Sequence, residues 1–137
     1  MIHRIEHLGI AVADPALALT VFEKLLNRPP EKTEEVESEK VRTHFFRVGE
    51  SQIELLESLN PEGVISRYIE KRGQGIHHLA FYTSGLEEEI QRLQAAGFEF
   101  LNPEPKPGAD GKRIVFLHPR STAGVLVELC EDIVSPS

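Results

Sequence analysis

The sequence has a single cysteine, Cys130, and no tryptophan. One thiol cannot close an internal disulfide, so the simplest setting is a reducing compartment such as the cytoplasm. No apolar run approaches the roughly 20 residues that span a bilayer, so no membrane segment is expected. The opening Met1-Ile2-His3-Arg4-Ile5-Glu6 is too charged for the core of a signal peptide. Bases are in deficit: 15 Lys and Arg stand against 22 Asp and Glu, a net charge of −7. Nucleic acid is therefore not the expected partner, because phosphate binding wants a basic face. An anionic small molecule stays open, since a local metal ion or a few lysines can hold one. What is present is an ordinary globular composition over 137 residues, enough for one domain or two small repeats sharing a core.

The chain repeats itself. Ile5-Glu6-His7-Leu8-Gly9-Ile10 resembles Ile76-His77-His78-Leu79-Ala80-Phe81, and Ile53-Glu54-Leu55-Leu56-Glu57 resembles Val127-Glu128-Leu129-Cys130-Glu131. His7 and Glu54 lie 47 positions apart, His78 and Glu128 50 apart. The pattern predicts a strand over 3–12 and a helix capped by Asp14 with Pro15 in its first turn, stopped at Asn27. Leu17, Val21 and Leu25 with Leu19, Phe22 and Leu26 read as one broad apolar stripe on that helix. Strands follow at 32–38, 41–48 and 51–57, the last two split by Gly49-Glu50. A second set is expected at 75–83 (strand), 86–96 (helix), then 98–102, 112–118 and 124–131 (strands). The expected fold is α+β: a single domain over 1–137 made of two βαβββ modules, about 3–59 and about 75–131. A linker helix joins them over about 61–72.

Strand parity sorts the chemistry, because alternate residues share a face. His7 goes with Gly9 and Ala11, and His78 with Ala80 and Tyr82. Glu54 and Glu128 lie opposite the apolar pairs Ile53/Leu55 and Val127/Leu129. Any one of the four alone reads as an edge-exposed or ion-paired residue, since an unpaired buried carboxylate is costly. As a repeated set they read as a divalent-metal site. Two imidazoles and two carboxylates suit Co, Mn, Ni, Zn or Fe rather than Ca or Mg, and leave positions open for a chelating substrate. His3, His44, His77 and His118 carry weaker signals and read as solvated, turn or structural residues; Cys130 reads as a small core residue. Lys106, Lys112, Arg113 and Arg120 read equally as an anion-attracting cluster or a solubilising surface. The acidic run Glu31 to Glu39 reads as a solvated edge strand.

The stretches Arg4-Ile5-Glu6-His7-Leu8-Gly9-Ile10-Ala11-Val12, Gly75-Ile76-His77-His78-Leu79-Ala80-Phe81, Phe116-Leu117-His118-Pro119-Arg120-Ser121 and Gly124-Val125-Leu126-Val127-Glu128-Leu129 resemble the vicinal oxygen chelate superfamily. Within it they are most similar to the methylmalonyl-CoA epimerase branch. The resemblance implies a cupped mixed sheet around a metal site, with His7, Glu54, His78 and Glu128 as ligands and methylmalonyl-CoA as the substrate. It also implies a homodimer and enolate chemistry in which Glu128 serves as catalytic acid/base on one face. Some members carry glutamine where this chain has Glu54. Some carry a second catalytic glutamate where this chain has Thr43. No substrate-binding residue is assigned. The rival readings are a glyoxalase I-like metal-dependent lyase and a non-catalytic small-molecule-binding protein of the same fold.

Overall fold

Strand β1 (Ile2–Ala11) gives way to a helix at Asp14, whose carboxylate accepts a hydrogen bond from the Leu17 N–H at 3.1 Å. Pro15 begins helix α1 (Pro15–Leu26), where a missing N–H leaves no bond unmade. Asn27 ends it with φ 57°, a left-handed conformation that asparagine tolerates. The cap and the stop are those expected. The coordinates, a computed structural model, describe residues 1–133.

Strand β2 (Lys32–Val36) is two residues shorter than expected, because Glu37–Glu39 turn into a short 3-10 helix closed by Lys40 at φ 55°. Strands β3 (Val41–Val48) and β4 (Ser51–Ser58) flank a turn in which Gly49 takes φ 63°. Helix α2 (Val64–Arg72) precedes β5 (Gly75–Thr83) and helix α3 (Leu86–Ala95). The chain ends its described part with β6 (Lys106–Pro107), β7 (Lys112–Phe116) and β8 (Val127–Asp132).

Contacts group the chain into two units: His7–His77, and Met1–Glu6 with the chain from His78 onward. In the first, the strands run in the order β2-β3-β4-β1, with β1 parallel to β4 and the other pairs antiparallel. In the second, the order β5-β8-β7-β6 repeats that pattern, with β5 parallel to β8. Each half is a βαβββ arrangement, and the fold class is α+β.

Each unit has its own core. In the first, Ile10, Val12, Phe46, Ile53 and Leu55 pack beneath Ala18, Leu19, Phe22 and Leu26 of α1. The expected broad stripe on α1 is only half used: Leu17, Val21 and Leu25 stay exposed. Helix α2 lays Ile65, Tyr68 and Ile69 over Ala11, Val41 and Leu56, on the other face of the strands. In the second unit, Leu86, Ile90 and Leu93 of α3 pack on Val115, Leu117 and Leu129.

The strand expected over 98–102 does not form. Phe98 and Phe100 pack against the α3 cluster, and only Phe100 keeps a bridge, to Leu117. An Asn102 turn and the prolines at 103 and 105 then redirect the chain, since proline offers no N–H to a ladder. The edge position passes to the two-residue β6, inside what reads as a Pro/Gly loop. Strand β8 starts at Val127 rather than 124, after Ala123 and Gly124 take φ 57° and 87°.

Candidate metal centre

Register in the first unit sets Gly9 beside Glu54 and His7 beside Gln52. His7, Gly9, Ala11, Gln52, Glu54 and Leu56 therefore share a face, as parity predicts. His7 Nδ1 lies 3.1 Å from Glu54 Oε2, and both side chains are buried. The opposite face of the same strands is the apolar one under α1. Helix α2 covers the row Ala11–Leu56 next to Glu54, so it closes one end of the His–Glu face.

The second unit repeats the pairing. Ala80 and Phe116 flank Glu128 on the neighbouring strands. His78 Nε2 lies 3.3 Å from Glu128 Oε1, again with both side chains buried. The Phe116 ring meets the His78 imidazole edge-on at 5.7 Å, which fixes the ring plane. Cys130 is fully buried two residues beyond Glu128, its thiol directed to the Phe81 carbonyl at 3.6 Å.

A buried carboxylate beside a buried imidazole answers two needs with one geometry. The carboxylate requires a positive partner, and a protonated imidazole or a cation supplies it. Each unit thus presents one nitrogen and one oxygen donor, a buried imidazole beside a buried carboxylate. That composition fits a divalent transition ion.

Parity missed one buried carboxylate. Glu6 is 3% exposed and acts electrostatically on the Lys112 ammonium, although parity alone predicts the face opposite His7. The one sequence signal was an acid set between apolar residues in Ile5-Glu6-His7-Leu8.

The remaining histidines are occupied elsewhere. His44 opposes Leu55 on the α1 side and bridges Thr33 (2.9 Å) and Glu57 (3.0 Å). His77 stacks edge-on against Tyr68 at 4.9 Å, and burial holds its pKa below the usual imidazole value against the pull of Glu39. His118 accepts a bond from the Arg120 N–H, capping a short turn, and His3 bonds the exposed Ser84 hydroxyl. Among the loop-flanking cations, Lys112 pairs with Asp132 at 2.9 Å, Arg113 with Glu87 and Glu131, and Arg120 with Glu99 at 2.6 Å. Thr43 is 1% exposed and sits on the Glu54 face, opposite Leu56 on one side and Glu34 on the other.

Residues 6–116 match the family described as Glyoxalase/Bleomycin resistance protein/Dioxygenase superfamily. The chain is 40% identical to the uncharacterized protein YqjC of Bacillus subtilis (strain 168), over 94% of this chain and 92% of that one. It is 34% identical to the ethylmalonyl-CoA/methylmalonyl-CoA epimerase of Cereibacter sphaeroides, over 94% of this chain and 98% of that one. Among solved structures, a single-substitution variant of the Streptomyces coelicolor methylmalonyl-CoA epimerase in complex with 2-nitronate-propionyl-CoA superposes with a TM-score of 0.92 at 30% identity. That superposition covers 100% of this chain and 99% of the other.

Proposed function

This chain belongs to the Glyoxalase/Bleomycin resistance protein/Dioxygenase superfamily, and on that footing we propose that it is a metal-dependent methylmalonyl-CoA epimerase. It is an isomerase that interconverts the (2R) and (2S) thioesters by removing and returning the α-proton. The observation that carries this reading is the duplicated buried pair, His7 with Glu54 and His78 with Glu128, in a chain that aligns end to end with named epimerases.

In this reading the four side chains hold one divalent ion of the Co, Mn, Ni or Zn kind. A divalent ion, when bound, supplies Lewis acidity that stabilises the negative charge of an enolate. The protein's residues do the rest. Glu128, oriented by His78, takes the proton from one face of the α-carbon. Phe116 and Ala80 flank that carboxylate on the neighbouring strands. The buried row under α2 keeps bulk water from the other end of the His–Glu face. The reading takes 1–137 as one domain, acting as a homodimer in the cytoplasm. Among the described residues, no helix is long and apolar enough to cross a membrane.

The test pairs metal content with substrate choice. Purified protein should carry about one divalent transition ion per chain by mass spectrometry and should interconvert methylmalonyl-CoA epimers. Turnover of methylglyoxal with a thiol, in place of epimerisation, would assign the chain to lyase chemistry instead. Glu128→Gln should lose exchange of the α-proton with solvent by about 100-fold or more, beyond any loss of metal.

A further inference from the structure

On the α1 side of the first unit, register gathers a row of polar residues. Thr33 of β2 lies opposite His44 of β3, and Arg42 of β3 lies opposite Glu57 of β4. Alternate residues share a face, so Thr33, Arg42, His44 and Glu57 stand on the same one. The Thr33 hydroxyl lies 2.9 Å from His44 Nδ1, and His44 Nε2 lies 3.0 Å from Glu57 Oε2. Arg42 Nη1 donates to the other Glu57 oxygen at 2.9 Å, and its Nη2 donates to Glu35 at 3.1 Å. The imidazole is therefore held from both ends, and the carboxylate that holds it is itself clamped.

The partners decide the tautomer. The Glu57 carboxylate accepts, so Nε2 of the neutral ring carries the proton and donates it. Nδ1 is then the acceptor, and the Thr33 hydroxyl donates to it. A hydroxyl that donates to an imidazole whose far nitrogen is oriented by a carboxylate is the arrangement that activates an oxygen nucleophile. Exposure divides the parts. His44 is 6% exposed, which shields the base, whereas Thr33 is exposed and open to a reagent.

We propose that Thr33 is a nucleophile, with His44 as its general base, that accepts small acyl groups from activated esters and thioesters. The site shares no residue with the two His–Glu pairs and stands independently of the epimerase reading. The step balances. Thr33 Oγ bonds to the acyl carbon as its proton passes to His44 Nδ1. The bond from that carbon to the leaving oxygen or sulfur breaks, and His44 returns the proton to the leaving group. Water then attacks the acyl-threonine while His44 takes its proton. The acid departs, and Thr33 recovers its hydrogen. Glu57 is a positioning residue, acting only through the ring.

The test incubates the purified chain with p-nitrophenyl acetate and follows release of p-nitrophenolate. Acid-quenched samples are mapped by peptide mass spectrometry to locate the acetyl group. Wild type should release p-nitrophenolate faster than buffer alone and carry acetyl on Thr33. Thr33→Val keeps a β-branched side chain at an exposed strand position, so its melting temperature should match wild type. Its release rate should fall by about 100-fold or more, and Thr33→Ser should retain most of the activity. His44→Gln should lose as much as Thr33→Val; should it fail to fold, the two Thr33 variants decide. Glu57→Gln should slow acetylation by about 10-fold or more, with partial recovery in Glu57→Asp, a rescue that a purely structural role would not give. Release no faster than in buffer, acetyl confined to lysines or the N-terminal amine, or a wild-type rate in Thr33→Val would each overturn the proposal.

Discussion

His7 and His78 each stand in a strand where the next residue along faces the other way, and their fates differ from those of His44 and His77 for that reason. Period-two alternation made this legible from the sequence: His78 pairs with Glu128, while His77, one position earlier, stacks on Tyr68. Glu6 was not legible, because parity assigns a side and not the depth of burial there. His78→Ala should weaken divalent-ion binding by more than the roughly 10–100-fold lost when only a supporting partner is changed, as read by chelator competition. Glu54→Gln, which keeps a carbonyl oxygen in place, should retain the ion more tightly than Glu54→Ala. A separate carboxylate offers a pH test. Glu89 is buried on α3, and its bond to the Met1 amino group, with help from Arg92, holds its pKa below the usual carboxylate value against the opposing effect of burial. Its contribution to stability is present above the ordinary carboxylate pKa and is lost as pH falls through the lowered folded value. Glu89→Gln should therefore lower the melting temperature at pH 7, and the difference should begin to shrink as pH falls below about 4 and close only below the lowered folded value.

Elements with their own punctuation were readable almost to the residue. Asp14, Pro15 and Asn27 bracket α1, and Gly49 divides β3 from β4. Where an element depends on what packs against it, the sequence says less. On α1, the lines Leu17/Val21/Leu25 and Leu19/Phe22/Leu26 look alike as hydrophobic periodicity, but only the second meets the sheet. Leu25→Lys should thus change stability in urea by less than about 0.5 kcal/mol. Phe46→Ala, which empties a fully buried site against Phe22, should cost about 3–5 kcal/mol. The segment 98–102 shows the same limit from the other side. Phe98 and Phe100 have strand-like residue types, yet the pull of the α3 core and the prolines that follow take them out of the ladder.

At the scale of the whole molecule, the repeat is the feature that organises everything else. Two βαβββ halves with matching strand order each place a histidine on the first strand and a glutamate on the last, in parallel neighbours. The net charge of −7 sits awkwardly with an anionic thioester unless two of the acids are neutralised by a bound cation, which is the role given to Glu54 and Glu128. The loop cations add little free positive charge, since Lys112, Arg113 and Arg120 are already paired. The most direct test of the account is exchange of the α-proton of methylmalonyl-CoA in deuterated water, before and after chelation. The account predicts rapid deuterium incorporation with interconversion of the epimers, loss of both on metal removal, and recovery when cobalt(II) or another divalent transition ion is restored. Absence of exchange by the metal-loaded protein, or exchange undiminished after the metal is stripped, would contradict it.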